Sequence, residues 1–232
     1  MRLRITFSKS GALRYTGHLD LQTIWERTVR RAGLPLAYTQ GFHPGPKIQI
    51  ASALPLGFIG RAEIVDIWLQ QNVRADPRVG PGADTPPSGT YRQARPYADV
   101  LQPAAPLGLT IVSVQQVDEH GPALQTQVAS AEYEVTLLDP VDGAELVRGL
   151  AAALEAESLP RERRGKLYDL RPLIESLEQL PADDSGTLRL RMALAAREGA
   201  TGRPEEVLDV LGIPFETTRI ERTRLILKED IK

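Results

Sequence analysis

The order of strands and helices, which the spacing of hydrophobic residues indicates, constrains the fold of this chain most. Strand, helix, strand, strand, a short helix and a final strand follow one another in the first half, and the second half repeats this order. Strands are predicted at 2–7, 47–54, 62–69, 109–117, 131–138, 187–195 and 217–227, and residues 161–171 are predicted to be extended. Helices are predicted at 19–32, 97–102, 143–157, 204–211 and, as a turn or two, within 173–180. The sequence therefore predicts an α+β protein built from two tandem ferredoxin-like (βαββαβ) units with antiparallel sheets.

The same order sets the expected domains. A basic N-terminal unit is predicted over residues 1–120, with a Pro/Gly-rich insertion near 72–96, and an acidic C-terminal unit over 128–232. Residues 76–89 are so dense in proline and glycine that no regular element is expected there. No residue-level repeat links the halves, so the duplication rests on element order alone.

Alternation within the first and last strands predicts which side chains are buried. In the first strand the apolar residues are expected on the core face: Leu3, Ile5 and Phe7. The polar residues are then expected on the solvent face: Arg2, Arg4 and Thr6. In the last strand, strict alternation predicts that Arg222 and Arg224 share one face.

The composition excludes several kinds of chemistry. The chain has no cysteine, which rules out disulfides, thiolate zinc sites, a cysteine nucleophile and a thiolate-bound iron–sulfur cluster within it. Its histidines, His18, His43 and His120, show no helical metal-ligand spacing. We therefore expect no metal and no cofactor. Residues 1–7 contain no apolar signal core, and no run of about 18 apolar residues follows. A cytoplasmic protein without a membrane segment is expected.

The charge is unevenly distributed. Residues 1–60 hold eight basic and two acidic residues, which gives +6, whereas the whole chain has a net charge of −2. This asymmetry is typical of a module that faces a polyanion, attached to an acidic body. The alternative is that the basic groups are scattered over solvated faces.

A first candidate cluster precedes and opens the first helix: Lys9, Arg14, Tyr15, His18 and Asp20. The free backbone N–H groups of a helix N-terminus can bind an anion, and a histidine can carry a proton near neutral pH. His18 and Asp20 are thus candidate catalytic residues. In the alternative interpretation Thr16 or Asp20 caps the helix and His18 bonds a carbonyl.

A second cluster combines a helix face with a loop. Arg27, Arg30 and Arg31 are predicted on the polar face of the first helix. The loop that follows contains Gln40, Phe42, His43 and Lys47 among two prolines and two glycines. An exposed phenylalanine beside cations can stack a base and hold a phosphate. His43 is also a catalytic candidate, and in the alternative Phe42 plugs the core.

A third cluster lies near the C-terminus. Arg203 precedes Pro204, which is predicted at the first helical position, and Arg222 lies in the last strand. Both are candidate anion-binding residues. In the alternative, Arg222 forms a structural ion pair with Glu221 or Glu205.

Several segments resemble one bacterial family. These are FSKSGALRYTGHLD at 7–20, RRAGLPLAYTQGFHP at 30–44, PK at 46–47, RPEEVL at 203–208 and IERT at 220–223. They resemble the radical-SAM-linked family of uncharacterised bacterial proteins. Because the chain lacks cysteine, the resemblance implies a stand-alone form that acts beside a separately encoded radical SAM enzyme.

These observations lead to three functional hypotheses. The first is an accessory protein that binds RNA and acts with a radical SAM enzyme, and is not an enzyme on its own. The second is a metal-independent RNA-processing or transferase enzyme that uses His18 or His43. The third is a subunit that only binds other proteins.

Overall fold

The computed structural model describes residues 1–70 and 97–231. The chain divides into two units, one made of Met1–Leu56 and Glu63–Leu124 and the other of Gly57–Ala62 and Gln125–Lys232. The insertion expected near 72–96 falls in the gap between these ranges and lies outside the described residues.

The N-terminal unit contains the first six elements of the chain. They are β1 (Arg2–Lys9), α1 (His18–Arg31), β2 (Ile48–Ile50), β3 (Ile59–Trp68), α2 (Tyr97–Ala104) and β4 (Leu109–Val117). The strands are ordered β2-β3-β1-β4. The β1–β4 and β2–β3 pairs are antiparallel. A 3-10 helix, Gly11–Tyr15, connects β1 to α1.

Helix α1 packs one apolar stripe into the core of this unit. Leu21, Trp25 and Val29 are buried at intervals of four residues, as an amphipathic helix requires. The Trp25 ring meets the Phe7 ring edge-on at 4.9 Å between centroids. The helix ends before Gly33, whose φ of 68° lies in the left-handed region that glycine adopts without strain.

The prediction that the polar face of β1 meets solvent was wrong for its two arginines. Arg2 and Arg4 are buried, and both donate to the buried carboxylate of Asp66 on β3. Arg2 also donates to the carbonyls of Gly121 and Pro122, at 3.0 Å each. Burial of a guanidinium is tolerated when it is paired and hydrogen-bonded, and here one carboxylate serves two of them.

The C-terminal unit contains the remaining strands and two of the remaining helices. They are β5 (Val128–Leu137), α4 (Gly143–Glu155), β6 (Pro160–Arg163), β7 (Lys166–Asp169), β8 (Ile174–Leu180), β9 (Arg189–Arg197), β10 (Ala200–Thr201), α5 (Pro204–Val210) and β11 (Thr218–Leu227). A short helix, α3 (Leu124–Gln127), leads into β5. The main strands are ordered β8-β9-β5-β11, with every neighbouring pair antiparallel. Strands β6 and β7 form a separate two-stranded hairpin.

Two further predictions were wrong in this unit. Residues 174–180 form a strand that pairs with β9, and only Arg171–Leu173 are helical. Arg222 and Arg224 do not share a face, because the register of β11 shifts between them. Arg222 is therefore buried, whereas Arg224 is exposed and pairs with Glu132 at 2.8 Å.

The protein is thus a mixed α/β fold whose strands pair mostly antiparallel. The other predicted strands and helices are present, with ends shifted by a few residues. Within the two described ranges, no helix is both long and apolar enough to cross a bilayer.

The carboxylates of Asp169 and Asp183 accept hydrogen bonds that predict how the stability of the fold depends on pH. Asp169 accepts from the backbone N–H of Leu159 and Arg171, at 2.8 and 2.9 Å. These bonds lower its pKa, and bonds from Ser185 and Thr187 lower the pKa of Asp183. A carboxyl group whose pKa is lower in the folded than in the unfolded state stabilises the fold at pH values above its ordinary pKa. That stabilisation is lost as the pH falls through the folded-state pKa.

The double substitution Asp169→Asn and Asp183→Asn keeps acceptor oxygens but removes both titrations. We expect its free energy of unfolding to fall less than that of the native chain between about pH 5 and pH 2. Urea denaturation at a series of pH values measures this. Parallel curves for the two proteins over that interval would contradict the assignment.

Candidate nucleic-acid interface

Residues 39–45, here called the phenylalanine loop, are fixed at their base. The backbone N–H of Thr39 donates to Gly45 O at 2.8 Å, and the N–H of Gly45 donates to Thr39 Oγ1 at 3.0 Å. Just outside them, Tyr38 and Pro46 form an antiparallel bridge. Gly41 has a φ of 137°, a conformation that a side chain would strain. The loop therefore has a closed base below an exposed tip.

The tip presents the side chains that the sequence singled out. Gln40, Phe42 and His43 are all exposed, and Phe42 has a relative accessibility of 102%. The alternative that Phe42 plugs the core is therefore wrong. A free phenyl ring offers an apolar face on which a planar group can stack.

The exposed arginines of α1, here called the arginine face, are Arg27, Arg30 and Arg31. Arg30 forms an ion pair with Glu26 at 2.8 Å and donates to Tyr38 Oη at 2.5 Å. The hydrogen bond to Tyr38, followed by the charge of Glu26, raises the pKa of Arg30. Arg30 thus connects the last turn of α1 to the base of the phenylalanine loop.

Sequence reasoning missed Tyr38, which makes this connection. The Arg30 guanidinium carbon also lies 5.8 Å from the centroid of the Tyr38 ring. Tyr38 follows a short extended segment and carries no motif, so only its place in the fold identifies it. Arg27 and Arg31, by contrast, form no ion pair within the described residues, so their charges are free for a partner.

Lys47 lies just after the loop and is half-buried. Its ammonium is 5.4 Å from the centroid of the Trp68 ring. Arg2 lies over the same ring at 4.7 Å. Lys47 is therefore held beside Trp68 by a cation–π contact and does not extend freely into solvent.

The first cluster lies at the opposite end of α1. His18 opens the helix and Arg31 closes it, which places them about 20 Å apart along the axis at 1.5 Å per residue. His18 and Asp20 are exposed, and Asp20 accepts from Gly17 N–H at 3.3 Å. That contact fits the capping alternative for Asp20. In the described ranges, the side chains of His18 and His43 make no hydrogen bond.

The two cations of that cluster differ in access. Lys9 is only 1% accessible, and its Nζ donates to Thr16 O at 2.9 Å, so it supports the turn before α1 instead of meeting a ligand directly. Arg14 is half-buried and stacks over the exposed Tyr15 ring at 4.7 Å. Its Nε is buried and finds no hydrogen-bond partner among residues 1–70 and 97–231.

The third cluster belongs to the C-terminal unit, and its members separate. Arg203 is exposed and immediately precedes α5. Arg222 is 1% accessible and interacts within the fold. Of the two, only Arg203 presents its charge to solvent.

Burial removes part of the positive charge of residues 1–60 from the protein surface. Of the basic residues in this segment, three are buried: Arg2, Arg4 and Lys9. The exposed positive charge is therefore concentrated on α1. In the described parts of the chain, no group of three or more histidine and acidic side chains could hold a metal ion.

Three solved structures are similar in fold to this chain at low TM-scores. A Cbf5-Nop10-Gar1 complex matches at a TM-score of 0.46 and 10% identity, covering 96% of this chain and 48% of that chain. An archaeal box H/ACA sRNP Nop10-Cbf5 complex matches at 0.43 and 12% identity, covering 96% and 47%. An H/ACA RNP bound to a substrate RNA containing 2'-deoxyuridine matches at 0.45 and 11% identity, with the same coverage, 96% and 47%. This chain spans about half the length of those chains, and at such TM-scores we base no functional conclusion on them.

Sequence comparison gives the family. No curated protein matches the chain. One family model matches residues 2–79 and 91–204, which is more than half of the sequence and includes α1 and the phenylalanine loop. The chain therefore belongs to the family described as "Uncharacterized protein conserved in bacteria (DUF2344)".

Proposed function

We propose that this protein binds RNA, with the phenylalanine loop stacking on an unpaired base and the arginine face holding phosphates. The observation that carries the proposal is the complete exposure of Phe42 on a loop whose base is closed by hydrogen bonds. Full burial of a phenylalanine contributes about 1.5–3 kcal/mol, which this position forgoes in the free protein. A ring kept in water on a closed loop is suited to a planar partner.

The charges around the loop favour a nucleic acid over an apolar partner. Arg30 links the arginine face to the base of the loop through Tyr38, so the cations and the ring belong to one surface. Proteins that bind single-stranded RNA combine these same two parts, a cationic track for the backbone and aromatic rings for the bases. His43 and Gln40 flank the ring and offer hydrogen-bonding groups for a base edge.

Phe42→Ala tests the proposal directly. We expect affinity for a fluorescein-labelled 12-nucleotide RNA to fall about fivefold to tenfold, because one stacked base is worth roughly 1 kcal/mol or more. Fluorescence anisotropy at fixed salt measures the change. Leu56→Ala is the matched control, since Leu56 is also an exposed apolar residue of the N-terminal unit. Equal affinity of Phe42→Ala and the control would count against stacking.

The architecture and the partner are part of the same proposal. We propose two tandem ferredoxin-like units over 1–120 and 128–232, supported by the strand orders β2-β3-β1-β4 and β8-β9-β5-β11. We also propose that the protein acts with a radical SAM enzyme, supported by the resemblance of residues 7–47. The chain has no cysteine to hold a radical SAM cluster, so the partner must supply it. Co-purification under anaerobic, reducing conditions tests that association.

The enzymatic and protein-binding alternatives predict different outcomes. If His18 or His43 is catalytic, replacing it with alanine abolishes turnover of RNA and leaves RNA binding intact. If the protein only binds other proteins, RNA affinity is absent and Phe42→Ala weakens capture of the partner enzyme instead.

A further inference from the structure

The hairpin of β6 and β7 carries a second set of exposed cations, in the C-terminal unit. Its strands pair Arg163 with Lys166, so Arg164 and Gly165 form a two-residue turn. Arg164 and Lys166 are exposed and form no ion pair within the described residues. The sequence predicted only an extended segment over 161–171, and Arg164-Gly165 is not one of the Asn-Gly, Asp-Gly or Gly-Gly pairs that signal a hairpin.

The turn has an unusual residue in a demanding conformation. Arg164 has a φ of 52° and Gly165 a φ of 74°, and Arg164 is the one non-glycine residue with a positive φ in the described ranges. Asparagine, aspartate or glycine avoids the backbone cost at the first position of such a turn, whereas arginine incurs it. A strained residue with a free charge at an exposed tip is a reason to look for a function.

The hairpin is held in place from one face. The Arg163 guanidinium donates three hydrogen bonds to the Glu206 carboxylate, at 2.7, 2.8 and 3.1 Å, and one to Thr201 O at 3.3 Å. It also stacks on the Tyr168 ring at 4.9 Å. Further along, Arg161 reaches Asp209 at 3.4 Å. These contacts neutralise the inner arginines and leave the tip cations free.

The same contacts bring the tip to a residue that the sequence had already selected. Thr201 and Glu206, which Arg163 contacts, flank the exposed Arg203 in the chain. These contacts therefore hold the hairpin that carries Arg164 and Lys166 against the segment that carries Arg203. Tyr168, the aromatic residue of the hairpin, has the Arg163 guanidinium over its ring, which covers that face.

We propose that Arg164, Lys166 and Arg203 form a second RNA contact that binds the phosphate backbone of base-paired RNA. Cations on a held hairpin suit phosphates at regular spacing and need no access to the bases. The inference goes beyond the proposed function, because it concerns another unit and another form of RNA, but it shares the premise that RNA is the partner.

Arg164→Asn separates binding from folding. Asparagine suits the turn, so we expect a melting temperature equal to or above that of the native protein. Loss of one phosphate contact should lower affinity for a 16-base-pair RNA duplex about eightfold at 0.1 M salt and reduce the salt slope by roughly 0.9. Lys166→Gln reports on the same surface without altering the turn, and Arg148→Gln, an exposed cation of α4, is the matched control.

The outcomes distinguish this inference from the proposed function. Weaker duplex binding by Arg164→Asn and Lys166→Gln, with Arg148→Gln unchanged, supports the hairpin contact. Native affinity in both hairpin variants overturns it, as does a native protein that binds the 12-nucleotide single strand but no duplex. In those two cases the loss caused by Phe42→Ala still supports the proposed function. If the native protein binds neither the single-stranded RNA nor the duplex, both this inference and the proposed function are overturned.

Discussion

Asp66→Asn is expected to lower the free energy of unfolding by roughly 3–5 kcal/mol, which is the usual cost of removing one partner from a buried ion pair. The carboxylate is fully buried and lies between two guanidiniums, 3.0 Å from Arg4 Nε and 2.9 Å from Arg2 Nε. Asparagine keeps the shape but removes the negative charge. Both buried arginines then lose the counter-charge that Asp66 supplies.

Chemical denaturation followed by tryptophan fluorescence measures this effect. Both tryptophans, Trp25 and Trp68, lie in the N-terminal unit, and Arg2 stacks on Trp68, so the signal reports on the affected region. Asp139→Asn, at an exposed position, is the control and should change stability by less than about 0.5 kcal/mol. If Asp66→Asn were as stable as that control, Asp66 would not compensate the two buried arginines.

The double substitution Arg27→Gln and Arg31→Gln is expected to lower affinity for single-stranded RNA roughly 25-fold at 0.1 M salt. The estimate follows from the loss of two phosphate contacts. On single-stranded RNA each contact contributes about 0.7 to the slope of log K against log salt concentration. Both side chains are exposed on α1 and form no ion pair in the described part of the chain, so little stability should be lost. Arg30 is left in place because Glu26 and Tyr38 hold it.

Anisotropy titration of the 12-nucleotide RNA measures the loss. Arg148→Gln with Lys228→Gln is the matched control, since it removes the same charge from exposed positions of the C-terminal unit. A similar loss in this control would mean that RNA responds to overall charge and not to the arginine face.

Much of the fold could be predicted from local patterns. The helical spacing of Leu21, Ile24, Trp25 and Thr28 and the glycine at position 33 sufficed to locate α1. Alternation in β1 failed for Arg2 and Arg4 because it cannot register Asp66, a partner more than sixty residues away. The helical period assigned to 173–180 failed because pairing with β9 decides the conformation of that segment.

The candidate site was predictable only in part. Residue type and loop composition identified Phe42 and the arginine face as candidate binding residues, and the structure shows that they are exposed. The same reasoning selected Lys9 and Arg222, which are buried, because charge alone does not reveal burial. It missed Tyr38 and the hairpin tip, whose roles depend on contacts that the sequence does not encode locally.

The decisive measurement for RNA binding through the arginine face is the salt dependence of affinity in the native protein and in Arg27→Gln/Arg31→Gln. We expect log K for the 12-nucleotide RNA to fall linearly with log salt concentration, with a slope that is smaller by about 1.4 in the variant. An affinity that does not change with salt, or identical slopes for the two proteins, would contradict RNA binding through the arginine face.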